Sequence, residues 1–272
     1  MTTVLDQAPD TSERYERALP LPESLRPWIT EIGHIPTLHD LPPSFTHLPR
    51  AVTTIVLRTE LSGRREALVL GPHTQATYAA PAEPAGCVRL RLAPGATHSV
   101  LGVPAADLTD RVHRLAELPG PAAALAGELT DLDPEDLLGF LENALPQQLP
   151  DDPTRRDHRR LLESAVDALT TAPASITALA SELAISERQL RNLFTTGIGV
   201  SPKHFARITR VRQLLTAAAN TPWADRATAA GYYDQSHFAA DFRAIMGTTP
   251  GRFAKGDLPI PTPCRAIAGK TA

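Results

Sequence analysis

GYYDQSHFAADFRAIMGTTPGRF (231–253) decides the reading of this chain, because RQLRNLFTTGIGVSP (188–202) and the residues after it repeat its layout. Counted from Phe242, the residues Gly247, Thr249, Pro250 and Phe253 stand at +5, +7, +8 and +11; counted from Phe194, Gly199, Ser201, Pro202 and Phe205 stand at the same offsets. Each copy opens a helix with a capping residue, Asp234 or Ser186, and follows it with apolar residues one turn apart, Phe238 with Phe242 and Leu190 with Phe194. Ser201 and Thr249, each directly before a proline, are the expected caps of the helices that follow. A scaffold helix precedes each copy, with Ile176, Leu179, Ala180 and Leu183 in the first and Trp223, Arg226, Ala227 and Ala230 in the second. These scaffold positions superpose with a shift of 47 residues and the later ones with a shift of 48, so the second turn holds one extra residue near Gly231, Tyr232 and Tyr233. Two helix-turn-helix units in one chain suit a reader of two DNA segments.

Within 187–195 the core takes Leu190, Leu193 and Phe194, which leaves Arg188, Gln189, Arg191 and Asn192 outward near the helix start. Arginine pairs bidentately with guanine, and asparagine or glutamine with adenine, at about 1–3 kcal/mol of discrimination per good pair. Within 235–245 the core takes Phe238 and Phe242, leaving Gln235, Ser236 and His237 outward as base-reading candidates beside Ala239 and Ala240. His237 either meets DNA or packs and caps within its own unit. The helix from Pro202 runs through HFARITRVRQLL (204–215) and joins the two units. Its Arg207, Arg210 and Arg212, with Arg243 on the later helix, are candidate phosphate contacts, the alternative being simple solvated charges. Arg226 stands where its counterpart Leu179 faces the core; either its stem packs and its guanidinium reaches out, or the second unit is the looser one.

The two quoted stretches resemble the DNA-binding domain of the AraC/XylS family of bacterial transcription regulators, over residue 175 to about 254. The resemblance implies two helix-turn-helix units joined by a helix, placing recognition helices in successive major grooves on one face of double-stranded DNA. Members often carry a basic residue at the position matching Ala240, and this chain does not. The first unit is therefore expected to supply most of the base specificity. GCVRLRLAPGATHSVLGVPAADLTDRVHRLAELPG (86–120) is similar, more weakly, to the N-terminal region of one subgroup, which implies a β-rich sensing or dimerising domain and names no effector.

Length and composition agree with this division. The 272 residues, 42% of them hydrophobic, are enough for two cores. A net charge of −3 hides an asymmetry: residues 1–154 hold 11 arginines against 21 acidic residues, whereas residues 155–256 hold 14 basic against 8 acidic. A basic second half suits a phosphate backbone. No apolar run reaches the length of a membrane span and the start MTTVLDQAPD lacks a leader pattern, so a cytoplasmic protein is expected.

The expected fold class is α+β: a polar, flexible arm over 1–24, a β-rich domain with following helices over 25–150, an all-α double helix-turn-helix domain over 155–256 and a tail over 257–272. A first element is expected near 25–32. AVTTIVLR (51–58), EALVL (66–70), QATYA (75–79) and CVRLRL (87–92) read as strands of an antiparallel sheet or small barrel, the last with Val88, Leu90 and Leu92 on its buried face. Short helices are expected from Pro104 to Arg111 and over 122–129 and 134–144. PQQLPDDPTRRD (146–157) marks the boundary between the domains. His34, His39, His47, His73 and His98 fall in the sheet region without metal-ligand spacing, and neither cofactor nor metal is expected. A DNA-repair protein with Cys87 as methyl acceptor is the alternative class; Cys87 sits in an alternating strand without activating neighbours in sequence, and no enzyme is expected. Besides DNA, an unidentified small-molecule effector, RNA polymerase and a second copy of the chain are the candidate partners.

Overall fold

The computed structural model describes residues 11–37, 44–80, 85–133, 135–149, 153–171, 175–216 and 221–263. One 3-10 turn leads into β1 (Arg17–Leu19) and another into β2 (Ile29–Ile35), followed by β3 (Phe45–His47), β4 (Thr54–Glu60), β5 (Arg65–Leu70), β6 (Thr77–Ala80) and β7 (Ala85–Leu92). Next come α1 (Thr97–Leu101), α2 (Ala105–Leu108), β8 (Val112–Arg114), α3 (Pro121–Ala124), α4 (Ala126–Asp131) and α5 (Leu137–Gln148). Six strands form an antiparallel sheet in the order β1-β2-β7-β4-β5-β8.

One face of this sheet carries Ile32, Ile55, Val69, Val88 and Leu90, and α1–α5 cover it with Leu101, Leu129, Leu141 and Leu145. The other face carries Arg89 and Arg91 opposite Val56 and Thr54 of β4. The alternation of CVRLRL predicts one buried face, yet Arg91 is only 5% exposed. It is covered because Glu16 and Glu31 supply its counter-charges, at 2.6 and 3.1 Å. Gly33 makes room for this pairing: a Cβ there would lie 1.7 Å from Glu16 Oε1. The arm expected over 1–24 is likewise corrected, since Arg17–Leu19 form an edge strand on β2 and Glu16 is buried in the ion pairs. Residues 1–10 lie outside the described residues.

The rest of the chain is helical: α6 (Pro153–Thr171), α7 (Ile176–Glu182), α8 (Glu187–Gly197), α9 (Pro202–Thr216), α10 (Trp223–Ala229), α11 (Gln235–Met246) and α12 (Pro250–Ala254), with β9 (Thr262–Pro263) after them. A second core gathers Leu162, Leu169, Leu179, Leu190, Phe194, Ile208, Val211, Phe238, Phe242 and Met246. The tail expected from 257 is not separate, because β9 pairs in parallel with β6, itself antiparallel to β3. Pro146 falls inside α5 near its end rather than terminating it.

The two parts meet at the C-terminal ends of α8 and α11. Ala76 N donates to the Ile245 carbonyl at 2.8 Å and Gly95 N to the Gly197 carbonyl at 3.2 Å. Tyr78 Oη donates to the Met246 carbonyl at 2.6 Å. The first part of the chain thus satisfies carbonyls in the last turn of both α8 and α11, groups that a helix leaves without internal partners.

Candidate nucleic-acid interface

Two local devices set α8 and α11. Ser186 starts α8 with a full capping box: its hydroxyl accepts from Gln189 N at 3.1 Å while Gln189 Oε1 accepts from Ser186 N at 2.9 Å. Asp234 starts α11 by accepting from His237 N at 2.7 Å. Ser201 and Thr249 accept from His204 N and Arg252 N, at 3.2 and 3.3 Å, at the heads of α9 and α12. The turns before α8 and α11 correspond as far as Ile185 and Tyr232, whose amides bond the Ala180 and Ala227 carbonyls at 3.0 Å each. Ahead of these amides the chain must take a left-handed conformation, supplied by Gly231 (φ 78°) and, at a strain of about 1 kcal/mol, by Ala184 (φ 53°). Tyr233 is then the inserted residue of the second turn and stands 95% exposed.

Arg188, Gln189, Arg191 and Asn192 are all exposed on α8, as are Gln235, Ser236 and His237 on α11. Not all are equally available. Gln189 is occupied by its cap, and Arg191 holds Glu187 at 2.8 Å, which leaves Arg188 and Asn192 as the outward side chains of α8 without a side-chain partner among the described residues. Arg243 is exposed too.

The three arginines of α9 behave differently from the expectation of phosphate contact. Arg207 Nε donates to Asp241 Oδ1 at 2.7 Å, and Arg210 reaches Asp241 Oδ2 at 3.7 Å and lies over the Tyr232 ring at 5.0 Å. Arg212 donates to Glu13 at 2.9 Å and to the Pro49 carbonyl at 3.1 Å. All three have partners inside the chain, and these tie α9 to α11 and to the first domain. Asp241, 6% exposed, is the residue that sequence reasoning missed. It stands on the apolar face of α11 with Phe238 and Ile245, an acid at helical spacing in a core stripe, and this was the available signal. His237 Nε2 also lies 3.7 Å from Asp241 Oδ2, so His237 faces its own unit as well as solvent. Arg226 resolves as the packed alternative: its guanidinium covers the Trp223 ring at 4.9 Å and its Nε donates to the Thr221 carbonyl at 2.7 Å.

These helices, turns and caps coincide with the match of a family model described as a helix-turn-helix domain, over residues 179–256. Residues 179–256 are a helix-turn-helix domain. Among solved structures, the chain is similar to ToxT from Vibrio cholerae at 12% identity: an apo variant covers 80% of this chain and 99% of that one, with a TM-score of 0.39. A second ToxT crystal form covers 82% and 96% at a TM-score of 0.39, and wild-type ToxT with unsaturated fatty acid bound covers 82% and 93% at 0.37. No curated protein sequence matches the chain. A helix-turn-helix domain is a fold suited to DNA binding.

The remaining chemistry is quiet. Among the described residues no cluster of histidine, cysteine and acidic groups fits a metal ion, and no helix is long and apolar enough to cross a membrane. Burial pushes the Cys87 thiol up, away from the lowered value an activated acceptor thiolate needs. Burial and the neighbouring Arg89 hold His47 down to about 4. Because the unfolded chain binds that proton near the ordinary value of 6.5, stability is expected to fall as pH drops from about 6.5 toward 4. His73 and His204, also held down by burial, act in the same direction. Urea midpoints measured across this window check the slope, which His47→Gln is expected to flatten in part.

Proposed function

We propose that this protein reads two adjacent segments of double-stranded DNA in a sequence-specific way, α8 supplying most of the base specificity and α11 mainly positioning the second unit. Arg188, Gln189, Arg191 and Asn192 face bases in one groove and Gln235, Ser236 and His237 in the next, with Arg243 on a phosphate. The observation that carries the reading is the asymmetric anchoring of the two helices: their C-terminal ends bond the first domain while the polar side chains near their starts stay exposed. The acidic first domain therefore docks behind the recognition helices and leaves these polar side chains open to solvent.

Control passes through that docking. A cavity of about 420 Å³ lies at the seam, lined by Val52 and Ala93 from the sheet side and by Val166, Ile198, Phe205 and Ile208 from α6, α8 and α9. A small molecule or partner acting there changes how firmly the two units are held. RNA polymerase and a second copy of the chain are the further partners of such a cytoplasmic regulator.

In vitro selection of random duplex DNA tests the reading. The full chain is expected to enrich a motif of two information blocks about one helical turn apart. Arg188→Ala is expected to relax one position of the first block by about 1–3 kcal/mol, and Gln235→Ala to change base preference much less. Equal relaxation by both substitutions contradicts the unequal roles, and no enriched motif contradicts the reading itself.

A further inference from the structure

On the arginine-bearing face of the sheet, the ion pairs run as a single alternating chain. Arg89 and Arg91 share Glu16 at 3.2 and 2.6 Å; Arg91 and Arg50 share Glu31 at 3.1 and 2.8 Å; Arg50 and Arg212 share Glu13 at 3.3 and 2.9 Å. Among the described residues this makes four guanidiniums for three carboxylates, with a cation at each end. One end, Arg89, is on β7 inside the first domain, and the other, Arg212, is on α9, the helix that joins the two helix-turn-helix units.

A cavity of about 110 Å³ opens along the same chain, walled by Arg50, Arg89, Arg91, Glu13, His47 and His73 among others. Two nitrogens of these residues, Arg50 Nε and His73 Nε2, are buried with no hydrogen-bond partner among the described residues. Asp110, the acid beside His73, already accepts from Thr74 N and Thr74 Oγ1 at 2.8 and 2.6 Å. His47 Nδ1 is engaged with Ser12 Oγ at 3.0 Å. The space is thus small, bordered by an excess of positive charge, and holds unspent ring and guanidinium nitrogens. A buried excess cation is costly unless an anion offsets it, and guanidiniums favour planar or tetrahedral oxyanions that take two donors at once.

We propose that this cavity binds a small oxyanion, a phosphate or a short carboxylate, and that its occupancy reaches the DNA-binding domain through Glu13 and Arg212. An anion on Arg50 competes with Glu13 for the same guanidinium. The partnership of Glu13 with Arg212 then strengthens, and α9 is held more tightly against the first domain. The binding step stands on the cavity alone; the coupling step rests on the DNA-reading function proposed above.

Calorimetric titration of the full chain with sodium phosphate and, separately, sodium malonate at ionic strength held constant with sodium chloride tests the first step. Saturable binding of one anion per chain is expected, and whichever of the two salts gives it assigns the phosphate or the carboxylate source. Arg50→Met is expected to weaken binding about ten-fold or more, the loss of a charge-assisted contact. Should Arg50→Met fail to fold, His73→Phe removes one donor without touching the ion-pair chain and is expected to weaken binding several-fold. Heats no larger than those of chloride, or variants that bind as the parent does, overturn the site. For the second step, the bound anion is expected to shift affinity for the selected duplex in the parent chain but not in Arg212→Gln. An equal shift in both overturns the coupling, whereas absence of any selected duplex with saturable anion binding intact counts against the DNA-reading function and leaves the site standing.

Discussion

Phe242→Ala is expected to destabilise the protein by about 3–5 kcal/mol, the usual cost of deleting a buried ring. Phe242 is fully buried, and its ring meets three others: Trp223 at 5.5 Å, Phe238 at 5.7 Å and Phe253 at 5.6 Å between centroids. These rings come from α10, α11 and α12, so one side chain joins every helix of the second unit. Its repeat counterpart Phe194 is equally buried but touches one ring, Phe205 at 5.5 Å, in a core otherwise built from Leu179, Leu190 and Ile198. Against a total stability of about 5–15 kcal/mol for an ordinary domain, either loss is large. The units then separate by function: Phe242→Ala removes the second information block while the first block is still selected, and Phe194→Ala removes the first. Urea unfolding gives the stability change and selection gives the block that disappears. A shift below about 1 kcal/mol in urea would show that Phe242 does not hold the unit together.

Asp241→Ala carries the second large effect. Its carboxylate receives Arg207 and Arg210 from α9 and the Tyr232 hydroxyl, at 3.4 Å, from the turn before α11. Removing it leaves two guanidiniums facing each other in a half-buried site. Breaking a buried pair costs about 3–5 kcal/mol, and partial exposure of both arginines brings the expected loss toward the lower end of that range. Asp241→Leu combined with Arg207→Met is expected to recover part of it, because replacing both partners by apolar groups removes the stranded charge. A double-mutant cycle on urea midpoints measures the coupling. A coupling energy near zero would make the pair a surface contact and leave the orientation of α11 on α9 to the apolar core.

The same residues show why some of this was legible in sequence and some was not. The caps, the second turn with its inserted Tyr233, and the buried faces of α8 and α11 depend on neighbours within about a dozen residues, so spacing alone carries them. Asp241 shows locally only as an acid within the apolar stripe of α11, and its partners stand 34 and 31 residues away on another helix, out of reach of any local pattern. The alternation of Arg89 and Arg91 was readable as a face, but its burial depends on Glu16, which lies in a polar segment 75 residues before Arg91. Strand β9 is a similar case, since Thr262 and Pro263 pair with Ala79 and Ala80 of β6, far earlier in the chain. Local periodicity therefore fixes the helix-turn-helix units, while the docking that orients them is set by long-range ion pairs and main-chain bonds.

Bonds from the first domain to the C-terminal ends of both α8 and α11 hold the two units at a set separation, and the spacing of the two DNA blocks tests this most directly. The affinity of the full chain for its selected duplex is compared with that for a duplex carrying about half a helical turn, ~5 bp, inserted between the blocks. Two units held at a fixed separation cannot follow the second block around the duplex, so binding is expected to fall to the salt-sensitive, non-specific level. Undiminished affinity for the expanded site would contradict the account, showing either that one unit alone carries recognition or that the two are not held together.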